Sequence, residues 1–286
     1  MQNPFTIVYG YVRGKILGCF RMKVTSKIKG ILKEKDKGIK NGMEAMQGIM
    51  KNLHGQIMDD LGRAAVGSWD AYYLRKLLDS IEEHIAEYED MAKKELSGQL
   101  DIMWDKGGEL VKSTLIAGEM YVGFGISRSS LDVLKDYSND YLEKLFSDAW
   151  YQIKGEINLG ILGAKTPQEV AQAIGTKIDK GRFANIALRA ERITQTEMGR
   201  IFSEAAQARM EEASGYVEGL EKQWIHAGHP RQPRPAHLAA NGQHVPVKEP
   251  FVVGGIRMMF PRDPNAPISE VINCGCDHVP YHERWE

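Results

Sequence analysis

The chain has 286 residues, enough for one large or two ordinary domains, and its 43% apolar share sustains a buried core. A formal net charge of −1 with 26% charged residues excludes a wholly basic nucleic-acid binder and an acidic tail. Three cysteines, Cys19 and the close pair Cys274 and Cys276, do not make a disulfide framework, which fits synthesis in a reducing cytoplasm. No signal peptide is apparent. The apolar opening from Phe5 to Phe20 is interrupted by Arg13 and Lys15 and is too short to span a bilayer.

Charge is distributed unevenly. Residues 1–42 carry ten Lys or Arg against Glu34 and Asp36, a formal +8, so residues 43–286 carry −9. From about Arg13, Ile16, Phe20, Val24, Ile28 and Leu32, with Leu17 and Ile31, keep a helical stripe and predict a basic amphipathic helix. Such an arm suits DNA phosphate or an acidic protein surface; a membrane-surface helix and a solvated terminal helix are the alternatives. Residues 38–68 are rich in Gly and Met, with helical spacing at Met43, Met46, Ile49, Met50, Leu53, Ile57 and Leu61. Each interior glycine costs about 1 kcal/mol against alanine, so this helix needs packing.

Trp69 to Leu96 is the strongest helix signal. Leu74, Leu78, Ile81, Ile85, Tyr88 and Ala92 alternate steps of four and three, as in a bundle or coiled-coil seam. Oligomerisation through Leu74–Ala92 is one expectation. Gly98, Gly107-Gly108, Gly118 and Gly123–Gly125 punctuate the next stretch, and Leu110 to Val122 reads as helix more than strand. Ser129 to Leu159 is helical. Thr166-Pro167-Gln168-Glu169 combines a capping threonine, proline at the first position and a capping-box glutamate, opening a helix to about Lys180.

Beyond Gly181 another helix carries Ile193, Met198, Ile201, Phe202, Ala205, Ala208 and Ala213 on one face and exits at Gly215 and Gly219. Thr194 and Glu197 stand at capping-box spacing inside it. Lys222 to Ala227 reads as a strand, His229 to Pro235 as an extended proline loop, Asn241-Gly242 as a turn and His244 to Val247 as a short strand. Phe251–Val253 and Ile256–Phe260 around Gly254-Gly255 form a hairpin. A second proline loop, Pro261 to Pro267, leads to Asn273-Cys274-Gly275-Cys276. The fold class is therefore α+β: a long, mostly helical region over 1–165 with a basic N-terminal arm, then a small, loop-rich helix-plus-β domain over 166–286.

In order along the last third stand Thr194, Thr196 and Glu197; Trp224; Arg234, Pro235, His237, Asn241 and Gly242; Val245 and Pro246; Pro250, Phe251, Gly254 and Gly255; Pro261, Asp263 and Pro264; and Ile272, Asn273, Cys274, Cys276 and Pro280. This series resembles the C-terminal domain of phage Mu protein F-like minor head proteins. Two departures are Gly228-His229-Pro230-Arg231, where the family has an acidic residue, and Gly275, where it commonly has arginine. The resemblance implies a structural protein of a tailed-phage or prophage virion. It would act in head assembly at the portal or capsid interior and in handling packaged DNA. Portal and capsid proteins are the implied partners, with DNA a further one through the basic arm. The implied location is the head interior, after synthesis in the bacterial host.

Thr196, Glu197, Trp224, Arg234, His237, Asn241, Gly242, Asp263 and Asn273 are the expected structural residues of the motif. No cofactor and no catalytic residue is expected. The alternatives are zinc on His237, Cys274 and Cys276, with His226, His229 or His278 adding a ligand, and a cysteine nucleophile paired with His237. A DNA-associated, nuclease- or transferase-like enzyme using Arg234, His237 and Asp263 is the rival function. Against it, no P-loop, G-x-G-x-x-G, H-E-x-x-H or G-x-S-x-G motif is present. The bland reading of Arg234, His237, Asn241 and Asp263 is that they tie down long loops whose backbone groups have few ladder partners.

Overall fold

The N-terminal arm and the Gly/Met-rich segment form one unbroken helix, α1, of 63 residues from Pro4 to Val66. The computed structural model describes residues 4–66, 71–120, 127–226 and 233–286, with side chains described except at 4–20, 64–66 and 71. The arm's apolar side chains up to Phe20, together with Cys19, Gly123–Gly125, His229 and Arg231, thus lie outside the described residues. α1 survives its glycines because Gly48 and Gly55 face open space, where they cost backbone entropy but break nothing. Met46, Met50, Leu53, Ile57 and Leu61 bury the face that holds it.

α2 (Ala71–Ala117) runs well past Leu96, where the sequence led us to expect a break. Gly98 faces open space, and Gly107 marks a close approach instead of a stop: a Cβ there would collide with Phe202 O and stand 2.7 Å from Ala205 Cβ. The remaining long helices are α3 (Ser129–Ile161), the short α4 (Pro167–Ile174) and α5 (Gly181–Ser214). α4 starts as its sequence predicts. Thr166 Oγ1 accepts from Glu169 N, and Glu169 accepts from the Thr166 N–H at 2.7 Å. It ends at Ile174 and not near Lys180, because Gly175 takes φ 125° and returns its N–H to Ala171 O. The Thr194–Glu197 spacing caps nothing, since both lie inside α5. Thr194 Oγ1 donates to Ala190 O, and Glu197 accepts from Ser138 Oγ at 3.1 Å.

Two compact units result. One comprises Lys40–Gln99 and Asp132–Glu197; the other comprises Met1–Ile39, Leu100–Leu131 and Met198–Glu286. In the first, Leu74, Leu77, Ile81, Ile85 and Ala92 are buried and Leu78 is half-buried. His54 Nε2 lies 2.7 Å from Gly175 O and its ring meets Phe183 edge-on, closing the end of α4.

The second unit holds the β region. β1 (Glu221–His226) is the middle strand of an antiparallel sheet, flanked by β2 (His244–Pro246) and β5 (Cys276–Tyr281). β3 (Phe251–Val253) and β4 (Ile256–Met258) form the expected hairpin, with Gly254 and Gly255 at φ 58° and 83°. Two short helices depart from the expected loops: α6 (Pro235–Ala239), with Pro235 at its first position, and α7 (Ile268–Val271). Trp224, Phe251, Val253, Met258, Val271, Cys274 and Cys276 share one small core. The fold is α+β, long helices followed by a small region of antiparallel strands. No helix among the described residues is long and apolar enough to cross a membrane.

Candidate metal centre

β1 and β5 pair so that His226 stands opposite Cys276. The loop after α7 turns through Asn273 at φ 54°, a left-handed conformation that asparagine tolerates better than most residues. That turn delivers Cys274 beside Cys276. From the other side α6 presents His237, which is 2% exposed. Its Nδ1 lies 3.5 Å from Cys274 Sγ and 3.5 Å from Cys276 Sγ. The ligand atoms of His237, Cys274 and Cys276 all fall within 4.8 Å of one another. His226 Nδ1 is 3.5 Å from Cys276 Sγ on the half-buried flank.

The other nitrogen of His237 is fixed as well. Nε2 is 3.0 Å from Glu270 Oε2 on α7, and the Arg234 guanidinium stands 3.7 Å from the same carboxylate oxygen while donating to Ile272 O at 2.8 Å. In its neutral form His237 carries its proton on Nε2, toward the Glu270 carboxylate, with the Nδ1 lone pair facing the sulfurs. The Cys276 hydrogen bond is the main cause that pulls the Cys274 thiol down to about 4; burial opposes it, while His237 and the charge of Arg262 add to it. Cys276 is driven up, by Cys274 first and then by burial. Burial lowers the imidazole pKa of His237, but Cys274 and Glu270 outweigh it and hold the pKa above the ordinary value. Two buried sulfurs and one imidazole are thus gathered where their ligand atoms could hold a cation.

Trp224, Asn241, Gly242 and Asp263 order the strands and loops of the unit that holds this cluster. Asn241 Oδ1 accepts from His226 N–H, and Gly242, at φ 85°, donates its N–H to Trp224 O. Trp224 is fully buried and meets His237 and Phe251 edge-on at 5.7 and 5.3 Å. Asp263 accepts from the N–H groups of Met259 and Asn265. Thr196 and Glu197 are buried on α5. His278, one of the alternative ligands, instead stacks on Phe260 and meets Phe251 edge-on; burial, with the charge of Lys222, pushes it down to about 3 and keeps it neutral.

Four further contributors were not among the expected site residues. Arg262, at φ 70° and 3% exposed, donates to Cys274 O, Ser203 Oγ and Asp277 Oδ1. Asp277 is fully buried and also pairs with Lys35, a residue of the basic arm that is itself 2% exposed. Lys222 reaches Gln207 Oε1 and Met259 O over the Phe251 ring, tying β1 to α5. The only usable hints were a charge at an inward strand position and a non-glycine between two prolines.

No family model, curated protein or solved structure matches the chain.

Proposed function

We propose that this chain is a minor structural protein of a tailed-phage or prophage head, acting in head assembly at the portal or capsid interior and in handling packaged DNA. What the residues of the C-terminal motif are doing supports this reading. Arg234 is committed to Ile272 O and Glu270, Asn241 to His226 N–H, and Asp263 to Met259 and Asn265 N–H. Each closes a loop, which is the work of a folded structural module. The resemblance of that motif to phage Mu protein F-like minor head proteins supplies the biological setting.

Arg21, Lys23, Lys27, Lys29, Lys33 and Lys37 are exposed on α1, while Val24 and Ile31 are buried within the same unit. The exposed face provides the contact with DNA or an acidic head protein. Purified full-length protein and its Asp263→Asn and Arg234→Ala variants test the reading against the enzymatic one. The expected result is no cleavage of duplex or single-stranded DNA with Mg²⁺ or Mn²⁺, and lowered stability in both variants. Metal-dependent cleavage lost in a still-folded Asp263→Asn protein contradicts the proposal.

A further inference from the structure

The geometry points to a zinc site built from Cys274 Sγ, Cys276 Sγ and His237 Nδ1, which all lie within 4.8 Å of one another, with His226, which stands outside that group beside Cys276, turning in as the fourth ligand. It stands independently of the virion reading.

Four observations carry it. First, the donor set is right: thiolate sulfur and neutral imidazole are the ligands of structural zinc. Second, the spacing is right. Zn–S bonds of about 2.3 Å and Zn–N bonds of about 2.0–2.1 Å at tetrahedral angles give an S···N edge of about 3.5 Å. Both sulfurs stand at 3.5 Å from His237 Nδ1. Third, the nitrogen facing away from the sulfurs is hydrogen-bonded to a carboxylate, His237 Nε2 to Glu270, which is itself flanked by Arg234. That carboxylate–histidine arrangement is how proteins fix the tautomer of a metal-bound imidazole. Fourth, three of the groups come from three short elements, α6, the turn at Asn273 and the first residue of β5, held around a core of few residues. Regions with so little regular structure commonly depend on a metal cross-link.

The C-x-C spacing departs from the C-x-x-C of zinc knuckles. Here one cysteine ends a turn and the other begins a strand, so two sulfurs one residue apart still reach one nitrogen. His226 is opposite Cys276 on the neighbouring strand, with Nδ1 3.5 Å from its sulfur; it stands outside the three donors that lie within 4.8 Å of one another, so a rotation of its side chain is what completes the set. The role is structural: zinc would bind both sulfurs and the His237 imidazole and so clamp α6 onto β5.

The test uses the full chain purified under reducing conditions and reconstituted with zinc alone. Native mass spectrometry and elemental analysis are expected to give one zinc per chain, with Cys274 and Cys276 protected from alkylation until a chelator is added. Glu270→Gln, which leaves every ligand in place, is expected to weaken zinc by about 10- to 100-fold in chelator competition. Cobalt substitution is expected to show thiolate charge-transfer bands and tetrahedral d–d bands, and His226→Ala to shift the latter. No stoichiometric zinc, or zinc affinity unchanged in Glu270→Gln and in Cys274→Ser/Cys276→Ser, overturns the site. Unshifted d–d bands in His226→Ala overturn the four-ligand assignment. Should the double cysteine variant fail to fold, the Glu270→Gln affinity and the alkylation map still decide.

Discussion

Lys35 and Asp277, 242 residues apart, form a buried ion pair, with Arg262 on the second oxygen of the same carboxylate. Burial alone would raise the Asp277 pKa, but the two cations hold it below the usual carboxylate range. The pair fastens the basic helix to β5, and it removes one lysine from the set available to an outside partner.

Breaking that pair on one side leaves a buried charge uncompensated. Lys35→Met is expected to cost about 3–5 kcal/mol in urea unfolding, and the double variant Lys35→Met/Asp277→Leu much less than the sum. Because the folded-state pKa of Asp277 is depressed, its contribution is complete above the unfolded value of 3.8 and is lost as pH falls through the folded pKa. Asp277→Asn should flatten that acid limb. An additive double variant would contradict the pairing.

Two further groups give opposite pH slopes. Burial, then Asp263 and Glu211, push Glu204 up to about 7 from 4.5. The folded state then holds more protons between those values, so stability should fall as pH rises from about 4.5 to 7, by at most about 1.4 kcal/mol per unit. Burial pushes Lys222 down to about 8 from 10.5, against the pull of Glu211 and Asp263. There the unfolded chain holds more protons, so stability should rise from about pH 8 to 10.5. Glu204→Gln should remove the first slope and Lys222→Met the second, read by denaturant unfolding across pH.

The glycines separate into two classes. Gly48→Ala and Gly55→Ala face open space within α1 and are each expected to stabilise by about 0.5–1 kcal/mol. Gly107→Ala would drive a methyl against Phe202 O and Ala205 Cβ and should destabilise by about 1–3 kcal/mol despite its better helix propensity. Thermal melts of the three variants check the sign directly.

The exposed lysines of α1 should bind DNA without sequence preference. Log affinity should fall with log salt at about −0.9 per phosphate contact, and Lys23→Glu/Lys27→Glu/Lys33→Glu should flatten that slope. Salt-insensitive binding, or binding unchanged by the triple variant, removes DNA as the partner of this face.

Local signals in the sequence were reliable where a side chain acts on its own neighbourhood. Thr166, Pro167 and Glu169 announce α4, and Gly254-Gly255 announces the hairpin, because both act over four residues or fewer. The helix lengths were less legible. Glycine at 98 or 107 looks the same in sequence whether it ends a helix, faces solvent or admits a neighbouring backbone, and only packing distinguishes these. His237 and the cysteine pair could be picked out as donors, but not their convergence, which depends on α6, on the Asn273 turn and on the β1–β5 register. Lys35, Arg262 and Asp277 were invisible as a group, since a long-range buried ion pair leaves no periodic trace.

The most direct measurement of the functional account is quantitative mass spectrometry of purified heads, made with the wild-type chain and with one lacking residues 1–42. The account predicts the wild-type chain inside the head at low copy, protected from external protease, and a truncated chain that enters poorly or retains less DNA. Absence of the wild-type chain from heads that are otherwise complete and infectious would contradict it.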